Sequence, residues 1–590
     1  MERPKLSPDG TKIAALVAIK GKQYFAIMPL VGRAEPKFVP STTDVNWWSW
    51  VNNDWLVVGI GAMDRFEGED VYIRRAIGVR ADAGKIVPLT GTDMGLGDDV
   101  LWIADDGSPR IRLALQKTIY QMPEVVEVDV STGRSKQIVA PHNDILGWYA
   151  DSQGTVRLGI GLVKDGRSSR LYYRNRDTEN FRIIDRANTR DMIVPSLFLP
   201  ERDQALAIDD ADGFQAVYKL DLKTMKLGER VFGVPGYDVG GIVEDRESPR
   251  MLGVSVVENA PKTYWMDPAI AQVQAALDKA AGSRRAQIVS FSRDRTVFLV
   301  HIGAPDRPGS YYVMAGDGKL PRLADVNARI GTGKLNPVRT IRYKARDGLE
   351  IAAVLTLPAG RPAKGLPVIV MPHGGPFARD AESWDWWSQF LAERGYAVIQ
   401  PNFRGSAGYG TAFAKKGQGQ WGLAMQDDLN DALAHLVSEG IGDPKRACMV
   451  GASYGGYAAM RAAQRDGSLY RCAVSFAGVS DMPAMLRYDR KFLNSGAATD
   501  WLREQATDLK GISPITYPQS FSIPILLVHG KEDQRVPVSQ SRDLAARLKK
   551  AGKDVRYIEQ KLGDHHFTRE EDRLQFLTEL EAFLKLHNPA

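Results

Sequence analysis

The chain has 590 residues and an ordinary globular composition, with 44% hydrophobic and 25% charged residues. Its 77 Lys and Arg residues outnumber the 71 Asp and Glu residues only slightly, and no basic run points to a nucleic-acid partner. The two cysteines exclude a disulfide-rich scaffold and a Cys-rich metal site. Because no window approaches 18 consecutive apolar residues, the sequence predicts no membrane span.

The first residues form a strand-and-turn pattern, with Leu6 leading into a turn at residues 7–10, and not an apolar signal segment. This pattern leaves the compartment open, and two cysteines suit either case. We expect a periplasmic or secreted protein if a signal peptide was trimmed from the chain, and a cytoplasmic protein otherwise.

Residues 1 to about 330 consist of short β-runs separated by turns, with one Ala-rich stretch at residues 269–281 that is typical of a short helix. A polar turn with an acidic residue precedes an apolar strand seven times, at intervals of 44 to 52 residues. The acidic residues of these turns are Asp9, Asp54, Asp106, Asp151, Asp203, Glu247 and Asp294. The period suits a unit of four strands and predicts a seven-bladed β-propeller. The alternative is a pair of β-sandwiches with coincidental spacing.

From about residue 338 the pattern changes to apolar strands that alternate with amphipathic helices. Such alternation predicts a mainly parallel, doubly wound sheet with helices on both faces. The predicted strands are 368–371, 397–399, 447–450, 473–476 and 525–528, and the predicted helices are 383–394, 425–438, 539–551 and 569–586. We therefore expect two domains, residues 1–335 and 336–590, with the boundary near the glycine-containing segment 331–334.

The strongest chemical signal is the sequence Gly-Ala-Ser-Tyr-Gly-Gly at residues 451–456, which lies between a predicted strand and a predicted helix. In that context Gly-x-Ser-x-Gly is typical of a nucleophile elbow, a turn so tight that small residues must flank the serine. A glycine-rich helix start that serves only packing is the alternative. The pattern favours Ser453 as a nucleophile.

A serine nucleophile needs a base and a carboxylate that orients it, here in the chain order serine, acid, histidine. Asp533 follows the predicted strand 525–528, with Glu532 as the adjacent competitor. His565 and His566 lie in a loop before the last helix, and the choice between them stays open from the residues alone. His587, in the C-terminal tail, is expected to be solvated.

The oxyanion of an acyl-transfer site needs hydrogen-bond donors. We expect one to be the backbone amide of Tyr454, next to the nucleophile, and the second to come from the His-Gly-Gly-Pro loop at residues 373–376. Cys448 and Cys472 lie on two apolar strands, where buried free thiols are the expected state and a disulfide is the alternative. The spacing of His, Asp and Glu predicts no metal site, and we expect no cofactor.

Together these motifs resemble the prolyl oligopeptidase family of serine peptidases. Further matching segments are Asp347-Gly348, the Asn-Phe-Arg-Gly stretch from residue 402, and Asp-Pro-Lys-Arg at residues 443–446. The resemblance covers most of residues 340–590 at motif level and rests on architecture alone before that. It implies a β-propeller at residues 1–335 followed by an α/β-hydrolase catalytic domain at residues 336–590.

By this resemblance Ser453 looks like the nucleophile, Asp533 the acid and His565 the base. The family's histidine is usually followed by glycine and then an apolar residue; His566 takes the glycine place here, which favours His565. The His-Gly-Gly-Pro form is more like the acylaminoacyl-peptidase or dipeptidyl-peptidase-like branch, and Gly375 would supply the second oxyanion donor. No glutamate pair like that of the dipeptidyl-peptidase branch is identified.

The sequence therefore predicts a serine peptidase that hydrolyses short peptides through an acyl-enzyme, with the propeller restricting access. The same triad would also serve a carboxylesterase or an isopeptide-cleaving acyl hydrolase, because a fold does not fix a substrate. A catalytically silent propeller-based binding protein is the third alternative. A homo-oligomer is compatible with the sequence.

Overall fold

A computed structural model of the chain describes residues 1–19, 22–30, 35–39, 43–66, 69–91, 97–118, 120–142, 144–316, 318–330, 333–492 and 494–590. No helix in these ranges is long and apolar enough to cross a membrane. The expected domain boundary at residues 331–334 falls partly outside them, because residues 331 and 332 are not described.

The N-terminal part is a seven-bladed β-propeller whose blades are antiparallel sheets with strands in sequential order. The first four blades are β1 (Glu2–Leu6), β2 (Lys12–Ile19), β3 (Lys22–Pro29), β4 (Lys37–Val39); β5 (Asp44–Trp50), β6 (Trp55–Phe66), β7 (Glu69–Arg80), β8 (Ile86–Pro88); β9 (Asp99–Ile103), β10 (Arg110–Leu115), β11 (Glu124–Asp129), β12 (Ser135–Val139); and β13 (Ile145–Ala150), β14 (Val156–Val163), β15 (Ser168–Tyr173), β16 (Arg182–Asn188). The last three are β17 (Pro195–Phe198), β18 (Gln204–Asp209), β19 (Ala216–Asp221), β20 (Lys226–Phe232); β21 (Val239–Glu244), β22 (Met251–Val257), β23 (Pro261–Trp265); and β24 (Arg285–Phe291), β25 (Phe298–Ala304), β26 (Arg307–Met314), β27 (Arg322–Asp325).

The seven acidic turns of the sequence all lie between the first and second strands of a blade, so the repeat is confirmed as the propeller unit. The turn residues Asp9 and Asp294 show why an acidic residue suits this place. Asp9 accepts hydrogen bonds from the amide and hydroxyl of Thr11, and Asp294 does the same with Thr296. A short carboxylate thus closes the turn locally.

The sixth blade has three described strands, and helix α1 (Pro268–Ala281) follows its last strand. Asp267 caps this helix by accepting the amides of Ala269 and Ile270. Leu277 and Ala281 pack the helix against the seventh blade. The ring closes where buried side chains of the first and seventh blades, including Leu6 and Leu299, meet in one cluster.

The C-terminal part is an eight-stranded sheet in the order β28-β29-β31-β30-β32-β33-β34-β35. Only its first two pairings, β28 with β29 and β29 with β31, are antiparallel. The strands are β28 (Val338–Lys344), β29 (Glu350–Thr356), β30 (Leu366–Val370), β31 (Ala397–Pro401), β32 (Gly442–Ala452), β33 (Cys472–Phe476), β34 (Ile525–Gly530) and β35 (Val555–Gln560). The central strands are buried along their whole length, as their apolar sequences require.

Helices cover both faces of this sheet and form two separate hydrophobic clusters with it. The helices are α2 (Trp386–Glu393), α3 (Thr411–Lys415), α4 (Ala424–Ser438), α5 (Tyr454–Arg465), α6 (Met482–Asp489), α7 (Gly496–Arg503), α8 (Ser539–Lys550) and α9 (Glu570–His587). The expected propeller and α/β-hydrolase architecture is confirmed. Because β27 ends at Asp325 and β28 begins at Val338, we propose that the domains divide at residues 335 and 336 within this connection.

The expectation of free thiols is wrong, because Cys448 and Cys472 form a disulfide. The two residues are direct register partners on the parallel strands β32 and β33, with Cα atoms 4.8 Å apart. This separation lies within the range that a disulfide requires. Sequence alone could not show that these two apolar strands are neighbours.

Exchanging both cysteines for alanine is expected to lower the free energy of unfolding of the hydrolase domain by about 2–4 kcal/mol, since the bond restricts the unfolded chain. Urea unfolding of the variant and the wild type would measure the loss. Thiol titration of the denatured, unreduced wild type should find no free thiol; two titratable thiols would contradict the bond.

Candidate active site

The predicted nucleophile, Ser453, lies at the sharp turn where β32 ends and α5 begins. Its φ is 56°, in the left-handed region that non-glycine residues seldom adopt. Two backbone hydrogen bonds hold the turn: the amide of Ser453 donates to Phe476 O at 2.9 Å, and its carbonyl accepts from Tyr457 N at 2.9 Å. Such strain persists only where the surroundings enforce it, and it is common at active sites.

The glycines around Ser453 leave no room for side chains. A Cβ at residue 451 would lie 2.4 Å from the carbonyl oxygen of Gly455. One at residue 455 would lie 2.1 Å from the carbonyl oxygen of Pro372, and one at residue 456 would lie 2.7 Å from the Ser475 hydroxyl. The helix therefore approaches both β33 and the loop after β30 at backbone distance, as the elbow motif predicts.

Gly455→Ala is expected to slow substrate turnover by about 100-fold, because its methyl group must displace Pro372 and the loop that follows it. Overpacking of this kind also destabilises a domain by about 1–3 kcal/mol. Steady-state kinetics and urea unfolding would measure the two effects. Gly333→Ala is the matched control, since its new Cβ would have its nearest contact, Ile330 O, at 3.6 Å; equal losses in both variants would contradict the interpretation.

The structure brings Asp533 and His565 together at the ends of neighbouring strands. Asp533 follows β34, and His565 lies in the loop between β35 and α9. The Nδ1 atom of His565 is 2.7 Å from Oδ2 of Asp533. The alternative candidates for the acid and the base are less buried: Glu532 is half-exposed, and His566 is exposed to solvent. His587 lies at the end of α9.

Asp533 is buried, 4% exposed, and is satisfied on both carboxylate oxygens. Its Oδ1 accepts the amides of Arg535 and Val536 at 2.8 Å each. Burial alone would raise the pKa of this carboxyl. Hydrogen bonds from His529 and His565 and from the amide of Val536 outweigh burial and hold the pKa of Asp533 well below its usual range. Asp533 is therefore a carboxylate at neutral pH.

His529 is a member of this site that the sequence did not reveal. It is fully buried at the end of β34, with Nδ1 2.7 Å from the Ser541 hydroxyl. Its Nε2 lies 2.9 Å from Val536 O and 3.3 Å from Asp533 Oδ2. It thus holds the turn that carries Asp533. Its only sequence signal is a polar residue at the end of an apolar strand.

Phe567, two residues after His565, anchors the histidine loop to the core beside Ser453. Its ring stacks on Phe476 with centroids 3.7 Å apart and contacts Trp387 and Phe576. Phe476 also receives the amide hydrogen bond of Ser453. One core residue therefore contacts both the elbow and the loop of the predicted base, so the core fixes their relative position.

The loop after β30, residues 372–379, lies against the elbow and is called the oxyanion loop here. A Cβ on Gly374 would lie 3.4 Å from the Cβ of Ser453. Gly375 is exposed and has φ of 114°, a conformation that favours glycine.

His373 stacks on Phe403, and its Nδ1 lies 2.8 Å from Gly374 O. Burial lowers the pKa of His373 to about 4, so the ring is neutral at physiological pH.

Tyr454, the other predicted oxyanion donor, is the first residue of α5. An amide at this position has no acceptor within its own helix, and the helix N-terminus favours negative charge. The Tyr454 side chain points into the core, where it contacts Phe403, Trp421 and Tyr457. It therefore has only its backbone to offer a substrate.

The propeller contains a cavity of 670 Å³ lined mainly by the inner strands of its second, third, fourth and sixth blades. Four carboxylates and two guanidinium groups line it, from Asp98, Asp99, Asp151, Glu244, Arg74 and Arg246. Burial is the main cause that raises the pKa of Asp99, Asp151 and Glu244. Within the described part of the chain, no group of three or more His, Cys, Asp or Glu residues could hold a metal ion.

Comparison with known proteins agrees with this architecture. A family model described as the prolyl oligopeptidase family matches residues 382–588. Dipeptidyl aminopeptidase BIII of Pseudoxanthomonas mexicana is 25% identical, over 98% of this chain and 86% of that protein. Human acylamino-acid-releasing enzyme is 23% identical, over 86% of this chain and 75% of that protein. The solved structure of a Mycobacterium tuberculosis puromycin-hydrolyzing peptidase has a TM-score of 0.74 at 17% identity, covering 100% and 94% of the two chains.

The propeller is joined to an α/β-hydrolase domain, and the family match in that domain together with the named peptidase relatives supports a serine-type hydrolase of the peptidase class. The chain is a serine peptidase, and its residues 382–588 match the prolyl oligopeptidase family.

Proposed function

We propose that this peptidase hydrolyses short peptides through Ser453, His565 and Asp533. The observation that carries the proposal is the 2.7 Å contact of His565 Nδ1 with the buried carboxylate of Asp533. It is supported by the strained turn at Ser453, whose loop is tied through Phe476 to the histidine loop. A neutral imidazole held at Nδ1 by a carboxylate has Nε2 free to accept a proton.

In the proposed reaction the Ser453 hydroxyl attacks the peptide carbonyl carbon while its proton passes to His565 Nε2. Asp533 holds the imidazolium, and the amides of Tyr454 and Gly375 bind the oxyanion. His565 then gives the proton to the leaving amine as the C–N bond breaks. Water attacks the acyl-enzyme by the same route, which releases the acid and restores the Ser453 hydroxyl.

The propeller is proposed to limit the size of the substrate. Its contacts with the hydrolase domain include Arg167 with Asp500, and Arg190 with Glu504. A folded protein would have to separate such contacts to reach Ser453, whereas a short peptide would not. We expect turnover per molecule to fall as substrates lengthen beyond a few tens of residues.

For the position of cleavage, we propose removal of dipeptides from a free amino terminus. The relative named a dipeptidyl aminopeptidase aligns over 98% of this chain. The carboxylates of the propeller cavity outnumber its guanidinium groups four to two, which would attract positively charged peptides. The relative named an acylamino-acid-releasing enzyme makes cleavage after a blocked first residue the second candidate.

Two measurements test this proposal. A fluorophosphonate probe should label the wild type and not Ser453→Ala; an unlabelled wild type would contradict the enzyme assignment and favour a silent binding protein. A panel of free dipeptide amides, N-blocked amino-acid amides, isopeptides and p-nitrophenyl esters should show fastest turnover of the free dipeptides. Turnover of esters alone would identify a carboxylesterase, and preference for blocked residues would identify the second candidate.

A further inference from the structure

Arg379, at the end of the oxyanion loop, crosses from the hydrolase domain to the propeller. Its Nη1 donates to Val257 O at 2.8 Å, and its Nη2 donates to Glu258 O at 2.6 Å. Val257 ends β22, and Glu258 begins the turn between β22 and β23 in the sixth blade. Nη2 also donates to the Tyr409 hydroxyl at 2.9 Å, and Nη1 lies 3.3 Å from Gly408 O.

The surroundings of Arg379 are shaped for a guanidinium group. It lies 4.1 Å from the Tyr409 ring centroid, in a cation–π arrangement. Gly408 leaves the space for it, since a Cβ there would lie 2.7 Å from Nη1. The planar fork of arginine presents its donors in a fixed geometry that suits two adjacent carbonyls, whereas lysine has a single ammonium group on a flexible stem.

The acceptors named for Arg379 are three carbonyls and a phenol, and none is a carboxylate. Burial lowers the pKa of its guanidinium. If the sixth blade were not docked, the guanidinium would lose its two shortest hydrogen bonds, those to the carbonyls of Val257 and Glu258. A charged group left within the protein without these partners is costly. The favourable position of Arg379 therefore requires the sixth blade to be docked.

The same segment is held to the hydrolase domain on its other side. Ala378 O accepts the amide of Ala407 at 3.0 Å, and the amide of Asp380 donates to Asn402 Oδ1 at 2.7 Å. Gly375 lies four residues before Arg379, within a turn so tight that a Cβ on it would lie 2.8 Å from Phe377 N. A shift of Arg379 is thus transmitted to Gly375 along a short, constrained stretch.

We propose that Arg379 is a positioning residue through which the sixth propeller blade sets the oxyanion loop, so that the Gly375 amide is placed for catalysis when the domains are docked. This inference rests on the proposed function, in which Gly375 is an oxyanion donor. Arg379 itself touches no reacting atom.

The test compares Arg379→Ala with the wild type on the best substrate of the panel. We expect kcat to fall about 10- to 100-fold with KM changed less than about threefold, because an oxyanion contact acts mainly in the transition state. The dissociation constant of a matching peptide aldehyde, which forms a tetrahedral adduct with the serine, should rise by the factor by which kcat/KM falls. Arg379→Lys should recover part of the loss.

Arg190→Ala is the matched control, because Arg190 also joins the propeller to the hydrolase domain, through Glu504 and the carbonyl of Ala497. It should leave kcat within about twofold. Equal losses of kcat in the two variants would overturn the proposal in favour of general loosening of the domains. An unchanged kcat in Arg379→Ala, or a rise in KM alone, would also overturn it.

If Arg379→Ala does not fold, Tyr409→Phe replaces it, because it removes one acceptor of Arg379 and keeps the ring. We expect a three- to tenfold loss of kcat, and an unchanged kcat would overturn the proposal. Failure of the proposed function looks different: the wild type itself would then resist the fluorophosphonate probe. If the wild type is labelled and active but Arg379→Ala leaves kcat unchanged, this inference alone is refuted and the proposed function stands.

Discussion

Replacing His565 with alanine is expected to lower kcat by about 10⁶-fold, whereas the same change at His566 should leave kcat within a few-fold. Removing the base of a serine triad leaves only binding and the oxyanion donors, and losses of about this size follow. His565 contacts Asp533 at 2.7 Å and has a largely buried side chain. His566 is exposed, and its amide only closes a turn with Asp564.

The two histidine variants are matched in sequence position and in chemistry, so each controls the other. Stopped-flow and steady-state assays on the best peptide substrate of the panel would give kcat. Urea unfolding would confirm that both variants fold. A large loss at His566 with little effect at His565 would reverse the assignment. Comparable large losses in both would indicate that the loop, which Phe567 anchors, has been disturbed as a whole.

The propeller and the elbow could be predicted because their signals are local in sequence. The acidic turns of Asp9 and Asp294, for example, form hydrogen bonds within three residues of themselves. The elbow needs only a strand, small residues and a helix in succession around Ser453. The order of serine, acid and histidine then leaves few positions for the rest, and Asp533 and His565 are in contact as expected.

The remaining features depend on which segments become neighbours in space. The disulfide required Cys448 and Cys472 to be opposite each other on adjacent strands. His529 became part of the site only because its strand end faces the turn of Asp533. Arg379 donates hydrogen bonds to the backbone carbonyls of Val257 and Glu258. Because every residue has a backbone carbonyl, the residue types at these positions do not indicate the contact. Such contacts follow from tertiary structure and have no sequence period.

The second large effect is expected for Asp533→Asn, which should lower kcat at neutral pH by about 10⁴-fold. The amides of Arg535 and Val536 both donate to Oδ1, so the asparagine oxygen will take that place. Its NH₂ group will then face His565 Nδ1 in place of Oδ2. The imidazole must accept at Nδ1 and carry its proton on Nε2, where it cannot take a proton from Ser453.

Glu532→Gln is the control for this substitution, because it changes the adjacent half-exposed carboxylate and should leave kcat nearly unchanged. A larger loss in Glu532→Gln than in Asp533→Asn would contradict the assignment of the acid. Proton-detected NMR of the imidazole would report the tautomer directly. The proton should lie on Nδ1 in the wild type and on Nε2 in Asp533→Asn.

The free energy of unfolding should also depend on pH through the Asp533 carboxylate. The pKa of Asp533 is lowered in the folded protein, whereas an unfolded aspartate has a pKa of about 3.9. Its contribution is therefore fully present above about pH 4 and is lost as the pH falls through the lower folded value. The difference in unfolding free energy between the wild type and Asp533→Asn should shrink as the pH falls below about pH 4. A difference that already shrinks as the pH falls from 8 to 5 would show that Asp533 takes up its proton in that range, contrary to its two amide and two histidine contacts.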